Sequence, residues 1–230
     1  MKSNHSIKKY ILLVGVLFLF PLSLILVFGV FGEHKFNTLP YIGAHTVDPN
    51  SGDSVYFTLP PFSFTNQENQ PYTLDSLKGK VWMASFYSTN SPHIRKITAR
   101  LLWPNWRYRG ESDIAIVSFT LDPEHDTPEV LNDYVEQMTA YNDFEGKWQF
   151  LTGQRDTLFN YLNSAFELND PELNAFMYLI DTEGHIRGRY NANFEEQIKD
   201  AIEDIALLKK ELDIRAYEER QRAEAGAKNE

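Results

Sequence analysis

The sequence predicts an α/β domain, a mixed sheet held between helical layers, carried behind an N-terminal transmembrane helix. Three observations predict it. Nearly uncharged, β-rich runs at 81–87 (VWMASFY), 113–120 (DIAIVSFT) and 148–153 (WQFLTG) alternate with segments of helical period. Two further runs, AFMYLID and HIRGRYN, flank TEG and read as a closing β-hairpin. Residues Ile11 to Gly32 carry no charge, and at ~1.5 Å per residue such a run crosses the ~30 Å hydrocarbon core.

The elements follow in order. Lys2, Lys8 and Lys9 precede the apolar run with no acid, so residues 1–10 are expected to stay cytoplasmic and the body to lie outside. Pro21 is tolerated in a membrane helix. A cleaved signal peptide is the alternative, but the run exceeds the usual ~7–15-residue core and VFGEHKFNTLP has no small-x-small site. Residues 33–54 mix Pro, Gly, Asn and Asp and read as a tether with a partly ordered lead-in. The domain itself is placed at 55–213. Aromatic-rich runs around TNQENQ predict a first hairpin, and LDSLKGK a helical turn closed by Gly79. A helix over 92–102 is expected to stop at Pro104. TPEVLNDYVEQM opens with Thr127 and Pro128, both helix-start signals, and puts Val130, Leu131, Tyr134 and Met138 on one face. QRDTLFNYLNSAF turns Leu158, Tyr161 and Leu162 inward. A long last helix carries the stripe Ile198, Ile202, Ile205 and Leu208. The charged tail 214–230 reads as frayed helix or disorder. Strands alternating with helices imply crossovers and a largely parallel sheet, and the final hairpin and helix fit the thioredoxin-like arrangement, although length and element order alone also permit other α/β folds.

Composition excludes several function classes. Removing the three tail lysines from 22 basic residues leaves 19 against 32 acidic ones, a balance of −13 for the body. Nucleic acid is therefore not an expected partner. The chain has no cysteine, which removes disulfides, thiolate metal sites, cysteine catalysis and lipoprotein attachment together.

Two motifs carry a resemblance. GKVWMASFYSTNSPHIRK is similar to the first strand and loop of the Sco/SenC family, where a strand runs into T-x-C-P-x-x-C-P; Thr89 and Pro92 match. TLDPEHDTPEVLNDY resembles that family's V-D-P-x-x-D-T-P-x-x-L-x-x-Y at Asp122, Pro123, Asp126, Thr127, Pro128, Leu131 and Tyr134. FLTG, LPYIG, LPPFSFTNQ and the final hairpin also look like members, so the likeness spans about Leu39 to Leu212. It implies a membrane-tethered thioredoxin fold that binds one copper ion through two thiolates and an imidazole. Such proteins serve cytochrome c oxidase assembly, and some act as thiol-disulfide reductants.

The same resemblance exposes what is missing. Ser91 and Arg95 stand where the two cysteines would be, Lys96 replaces the second proline, and Leu173 takes the place of the histidine. Copper(I) prefers soft donors, whereas a serine hydroxyl is hard, a guanidinium is permanently charged and leucine has no donor. Copper is accordingly expected to be absent, as are thiol exchange and catalysis by this loop. Other ligands exist: His93 and His125, with Asp122 and Glu124, would cluster if the loops meet, although exposed polar loop residues are the simpler reading of both histidines. Arg95 in turn is expected to stand in for the metal's charge by pairing with Asp122 or Glu124, against a plain solvated arginine. A hydrolytic reading of Ser91, His93 and Asp122 lacks a nucleophile elbow.

LLWPNWRYRG is open to two readings. Leu102 and Trp103 pack in the core with Trp106 over the helix end, or the tryptophans and arginines form a protein interface. The resulting expectation is a single-pass protein with its domain on the periplasmic side of the inner membrane. It binds or scaffolds beside a respiratory oxidase subunit or assembly factor and is not an enzyme. The competing expectation is a metal chaperone built on His93.

Overall fold

The sheet is built around two parallel strands, β5 (Val81–Tyr87) and β6 (Ile114–Thr120), both buried along their whole length. Seven strands run in the order β4-β3-β7-β6-β5-β8-β9. β7 (Trp148–Thr152) joins β6 in parallel, while β8 (Phe176–Ile180) pairs antiparallel with β5 and forms a hairpin with β9 (Ile186–Asn191). On the far side β3 (Ser63–Asn66) and β4 (Pro71–Thr73) form the expected first hairpin, and β3 pairs antiparallel with β7. This computed structural model describes residues 38–48, 52–92, 94–139, 147–166 and 175–227, and residue 15. The apolar run 11–32 otherwise lies outside the described residues, as do His93, Leu173 and the side chain of Arg95. Among the described residues no helix is long and apolar enough to cross a membrane.

Strand alternation sorts the core into two layers. Odd residues of β5 and even residues of β6 (Val81, Met83, Ile114, Ile116) meet α1 (Ile94–Arg107), α2 (Pro128–Thr139) and α4 (Glu195–Ala227) through Leu101, Leu131, Ile198 and Ile205. The opposite face (Trp82, Phe86, Val117, Phe119) meets α3 (Arg155–Phe166) through Leu158, Leu162 and Phe166. At the centre the Ser85 and Ser118 hydroxyls lie 2.6 Å apart, and the Trp148 indole N–H donates to Ser118 at 2.8 Å. That chain satisfies three buried polar groups and ties β5, β6 and β7 in one register.

Local chemistry explains the joints. In the first hairpin the Asn66 side-chain oxygen accepts the N–H groups of Glu68 and Gln70, and Asn69 takes φ +57°. The 3-10 turn Leu74–Leu77 closes at Gly79 with φ +75°, a conformation glycine adopts without steric cost. In the last hairpin Asp181 accepts from the N–H groups of Glu183 and His185, and Gly184 takes φ +89°.

Several expectations are revised. Helix α1 runs through Pro104 to Arg107. A proline inside a helix costs about 3 kcal/mol, but the turn beyond it buries Asn105 and Tyr108, and the Tyr108 hydroxyl donates to the Ile202 carbonyl at 2.6 Å. Trp103 does not pack in the core: Leu101 and Tyr108 face the sheet, and Trp103, 200° round the helix from Leu101 at about 100° per residue, stays 39% exposed. The lead-in is more than a tether. β1 (His45–Val47) pairs antiparallel with β2 (Ser54–Tyr56), Ile42 bridges to Ile186, and Tyr41 stacks on Tyr56 at 3.9 Å. The tail past Asp213 continues α4 as far as Ala227.

A buried cation anchors this lead-in. The Arg187 side chain is fully buried on β9. It donates to Leu39 O at 2.6 Å, to Asp181 at 3.2 Å and to both oxygens of Glu211 at 2.9 Å. Its guanidinium also lies 4.1 Å from the Tyr41 ring centroid. One side chain thus joins the entry segment, the last hairpin and α4.

Candidate functional site

Because β5 and β6 are parallel and paired from Val81↔Ile114 to Tyr87↔Thr120, they end at the same level. The loop after β5 and the turn after β6 therefore meet, and the Leu121 N–H donates to Tyr87 O at 2.6 Å. This brings together the two segments that carried the resemblance.

Asp126 is the hub of the meeting. Its side chain is fully buried beneath the turn, and its own N–H donates to Asp122 O at 2.8 Å. Its carboxylate accepts the Thr89 N–H at 3.3 Å and the hydroxyls of Thr89 and Thr120. Thr120 Oγ1 accepts in turn from the Asp122 N–H at 2.9 Å. These hydrogen bonds offset the cost of burying the carboxyl group. Thr127 then starts α2 by accepting the Val130 N–H at 3.4 Å, and Glu129 is held below its ordinary value by backbone and Thr127 hydrogen bonds.

The residues singled out from the sequence divide as follows. Ser91 is half-buried, and its N–H donates to Ser88 O at 2.9 Å. Asp122 receives the Asn90 amide at 3.5 Å across the gap between loop and turn. Glu124 pairs with Arg155 on α3 at 3.7 Å, both well exposed. His125 is exposed on the turn. The expected pairing of Arg95 and the ligand role of His93 fall outside the described side chains, as does Leu173. Among the described residues no three His, Asp or Glu side chains lie close enough to hold an ion.

Sequence reasoning missed the environment beneath the loop. Tyr87 ends β5 fully buried, edge-on to Phe150 at 5.4 Å, with its hydroxyl unpartnered among the described residues. Burial pushes that hydroxyl well above its ordinary 10.0; Asp126 and Tyr134 push the same way, and Thr120 weakly opposes them. Beside it the Thr98 and Tyr134 hydroxyls lie 2.6 Å apart, joining α1 to α2. The strand pattern marks Tyr87 as buried, but nothing in it shows that its polar end faces a buried carboxylate.

Tyr87 belongs to a wider set with one testable consequence. Burial raises Tyr72 to about 12 and raises Tyr161 and Tyr190 further, Tyr190 with help from Asp204, which accepts its hydroxyl at 2.7 Å. Above pH ~10 the unfolded chain loses these protons while the folded chain keeps them. The folded state then binds more protons, so stability falls as pH rises past ~10. Urea midpoints between pH 8 and 11.5 are expected to drop over that window, with tyrosinate absorbance appearing together with unfolding. A flat profile contradicts the assignment.

The comparisons with known proteins agree with this geometry. The SCO1/SenC family pattern matches residues 51–209. The SCO1 protein homolog of Bacillus subtilis (strain 168) is 29% identical over 164 residues, covering 66% of this chain and 83% of that protein. The crystal structure of a SCO1/SenC family lipoprotein from Bacillus anthracis superposes with a TM-score of 0.57 at 28% identity, over 66% of this chain and 95% of the other. BsSco is described as a member of the Sco family of cytochrome c oxidase assembly proteins with a disulfide switch. It gives a TM-score of 0.53 at 28% identity over 65% and 93% of the two chains. The fold is thus the thioredoxin-like Sco fold. With the motif strand, the aspartate turn and a family match across well over half its length, the chain belongs to the SCO1/SenC family.

Proposed function

We propose that this protein serves cytochrome c oxidase assembly as a membrane-anchored binding component, without copper or thiol redox chemistry of its own. One observation carries the reading. The chain keeps the Sco loop and turn in contact, yet offers Ser91, Arg95 and Leu173 at the positions where the resemblance places two thiolates and an imidazole, and it contains no cysteine anywhere. The BsSco likeness supports the oxidase connection. The run Ile11–Gly32 acts as the anchor and the three lysines before it keep the N-terminus cytoplasmic, so the domain faces the periplasm.

The residues present do not suit copper(I), and no step passes through a metal. What they suit is recognition: a loop stapled to a turn by Asp126 presents a fixed end of the sheet to a partner. The test purifies the full chain from its own membranes in mild detergent and measures metal and co-purifying proteins in one sample. The expected result is oxidase or assembly-factor subunits with copper far below one equivalent. Stoichiometric copper or zinc, lost in His93→Ala or His125→Ala, overturns the reading in favour of a histidine-based chaperone. Equilibration with copper(I) against a chelator is expected to show no retention by the wild type and retention by the triple variant S91C/R95C/L173H.

A further inference from the structure

The solvent face of α1 has a charge unlike the rest of the body. From Ser88 to Gly110 the sequence has no acid and five bases: Arg95, Lys96, Arg100, Arg107 and Arg109. Removing those five from the 19 basic residues of the body leaves 14 against all 32 acidic ones. The helix that follows the loop is therefore a cationic strip on an otherwise strongly anionic domain.

The half of the helix away from the loop, about 15 Å along it at ~1.5 Å per residue, also carries exposed aromatic surface. Trp103 is 39% and Trp106 62% exposed, three residues apart and so neighbours on one helix face. Both rings have cations against them: the Arg109 guanidinium lies 4.9 Å from the Trp106 centroid, and the Lys199 ammonium, which also pairs with Glu195 at 3.2 Å, lies 5.8 Å from that of Trp103. Arg100 reaches across to donate to the Ala192 carbonyl in the connection between β9 and α4, and Phe194, 58% exposed, follows two residues later. Tryptophan and arginine are the residue types that dominate binding energy at protein interfaces, and stacking against cations holds these rings ready at little further cost in entropy.

We infer that the Trp103–Trp106 face of α1 is the docking surface for an acidic protein partner. This rests on the binding role proposed above and adds to the loop end of the sheet a second contact, on the helix that leads away from it. Charge complementarity selects the occupant: the exposed Lys96, Arg107 and Arg109, with no acid in the same stretch of chain, attract a carboxylate-rich surface. An anionic bilayer suits the strip less well, because a plane that wide also meets the acidic remainder of the domain. A second copy of the chain is the other candidate the test separates.

A photo-reactive residue, Trp106→p-benzoylphenylalanine, in the full chain in its own membranes reads the contact directly, with Tyr217→p-benzoylphenylalanine on α4 as control. The adduct is identified by mass spectrometry, and the purified partner is then titrated with the detergent-solubilised full chain. The expected result is an adduct at position 106 only, to an acid-rich protein segment. Binding is expected to weaken about tenfold or more in W103A/W106A and in R107E/R109E, and to weaken as salt rises. These substitutions sit on exposed positions, and an unchanged circular dichroism spectrum and melting midpoint confirm that the fold is kept. An adduct to lipid or to a second copy, no adduct, or unaltered affinity in both variants overturns the inference. If the adduct is an acidic protein unrelated to the oxidase, the docking face stands and the oxidase assignment falls.

Discussion

Replacing Arg187 with methionine is expected to destabilise the domain by about 3–5 kcal/mol, the largest effect of any single substitution considered. The reason is what stays behind. Asp181 has no exposed side-chain surface and is left with only the His185 ring, 3.2 Å away, as an ionisable partner, while Glu211, 12% exposed, keeps Arg215 at 3.1 Å. The carbonyls of Leu39 and Pro40 lose a donor, and Tyr41 loses the guanidinium over its ring. For a domain of this size the loss corresponds to a melting point lower by roughly 10 °C. R187M/D181N/E211Q is expected to recover most of it, because neutral groups of like shape remove the stranded charges. The side-chain oxygen that D181N leaves in place still accepts the Glu183 and His185 N–H groups that form the hairpin turn. Urea unfolding of the two variants checks both claims. A single variant within about 1 kcal/mol of wild type refutes the account, as does a triple variant no better than the single. Limited proteolysis adds a local readout, since the lead-in from Leu39 to Ile42 is expected to become cleavable in R187M first.

The second large effect is at Asp126. Asp126→Ala strands the Thr89 amide and the Thr89 and Thr120 hydroxyls in a buried site and is expected to cost about 3 kcal/mol. Asp126→Asn is expected to cost less, since its oxygen still accepts one donor and its amide meets a hydroxyl that can turn to accept. Hydrogen exchange separates a local from a global effect. The Thr89 amide is expected to lose protection selectively in Asp126→Ala, while β5 and β6, paired along their whole length, keep theirs. Protection of Thr89 equal to wild type refutes the role of Asp126 as the staple between loop and turn.

How much of this is readable from the chain depends on the kind of interaction. The three central strands are plain because burial on both faces demands continuous apolar runs, and VWMASFY and DIAIVSFT are that. The parallel order then implies that loop and turn meet. Pro104 misleads because its local penalty is fixed by chemistry, whereas the burial of Asn105 and Tyr108 that offsets it depends on α4, about a hundred residues away. Trp103 misleads for a related reason: hydrophobicity alone does not give helix phase when Leu101, Leu102 and Trp103 are consecutive. Arg187 is invisible. Two arginines flank Gly188 in HIRGRYN, and only the position of Glu211 and the Leu39 carbonyl decides which of them is buried. The hub role of Asp126 is half-visible. Thr89 and Asp126 both belong to quoted motifs, but their contact joins residues 37 apart.

The level ends of β5 and β6 separate two properties that are coupled in many active centres. What positions the loop against the turn is a ladder of backbone pairs and a carboxylate below the surface. That framework is set mainly below the rim, by the paired strands and by Thr89 on Asp126. Donor atoms can therefore be removed from such a rim, or installed on it, with little loss of architecture, which makes the end of the sheet a site where reactivity and shape can diverge independently.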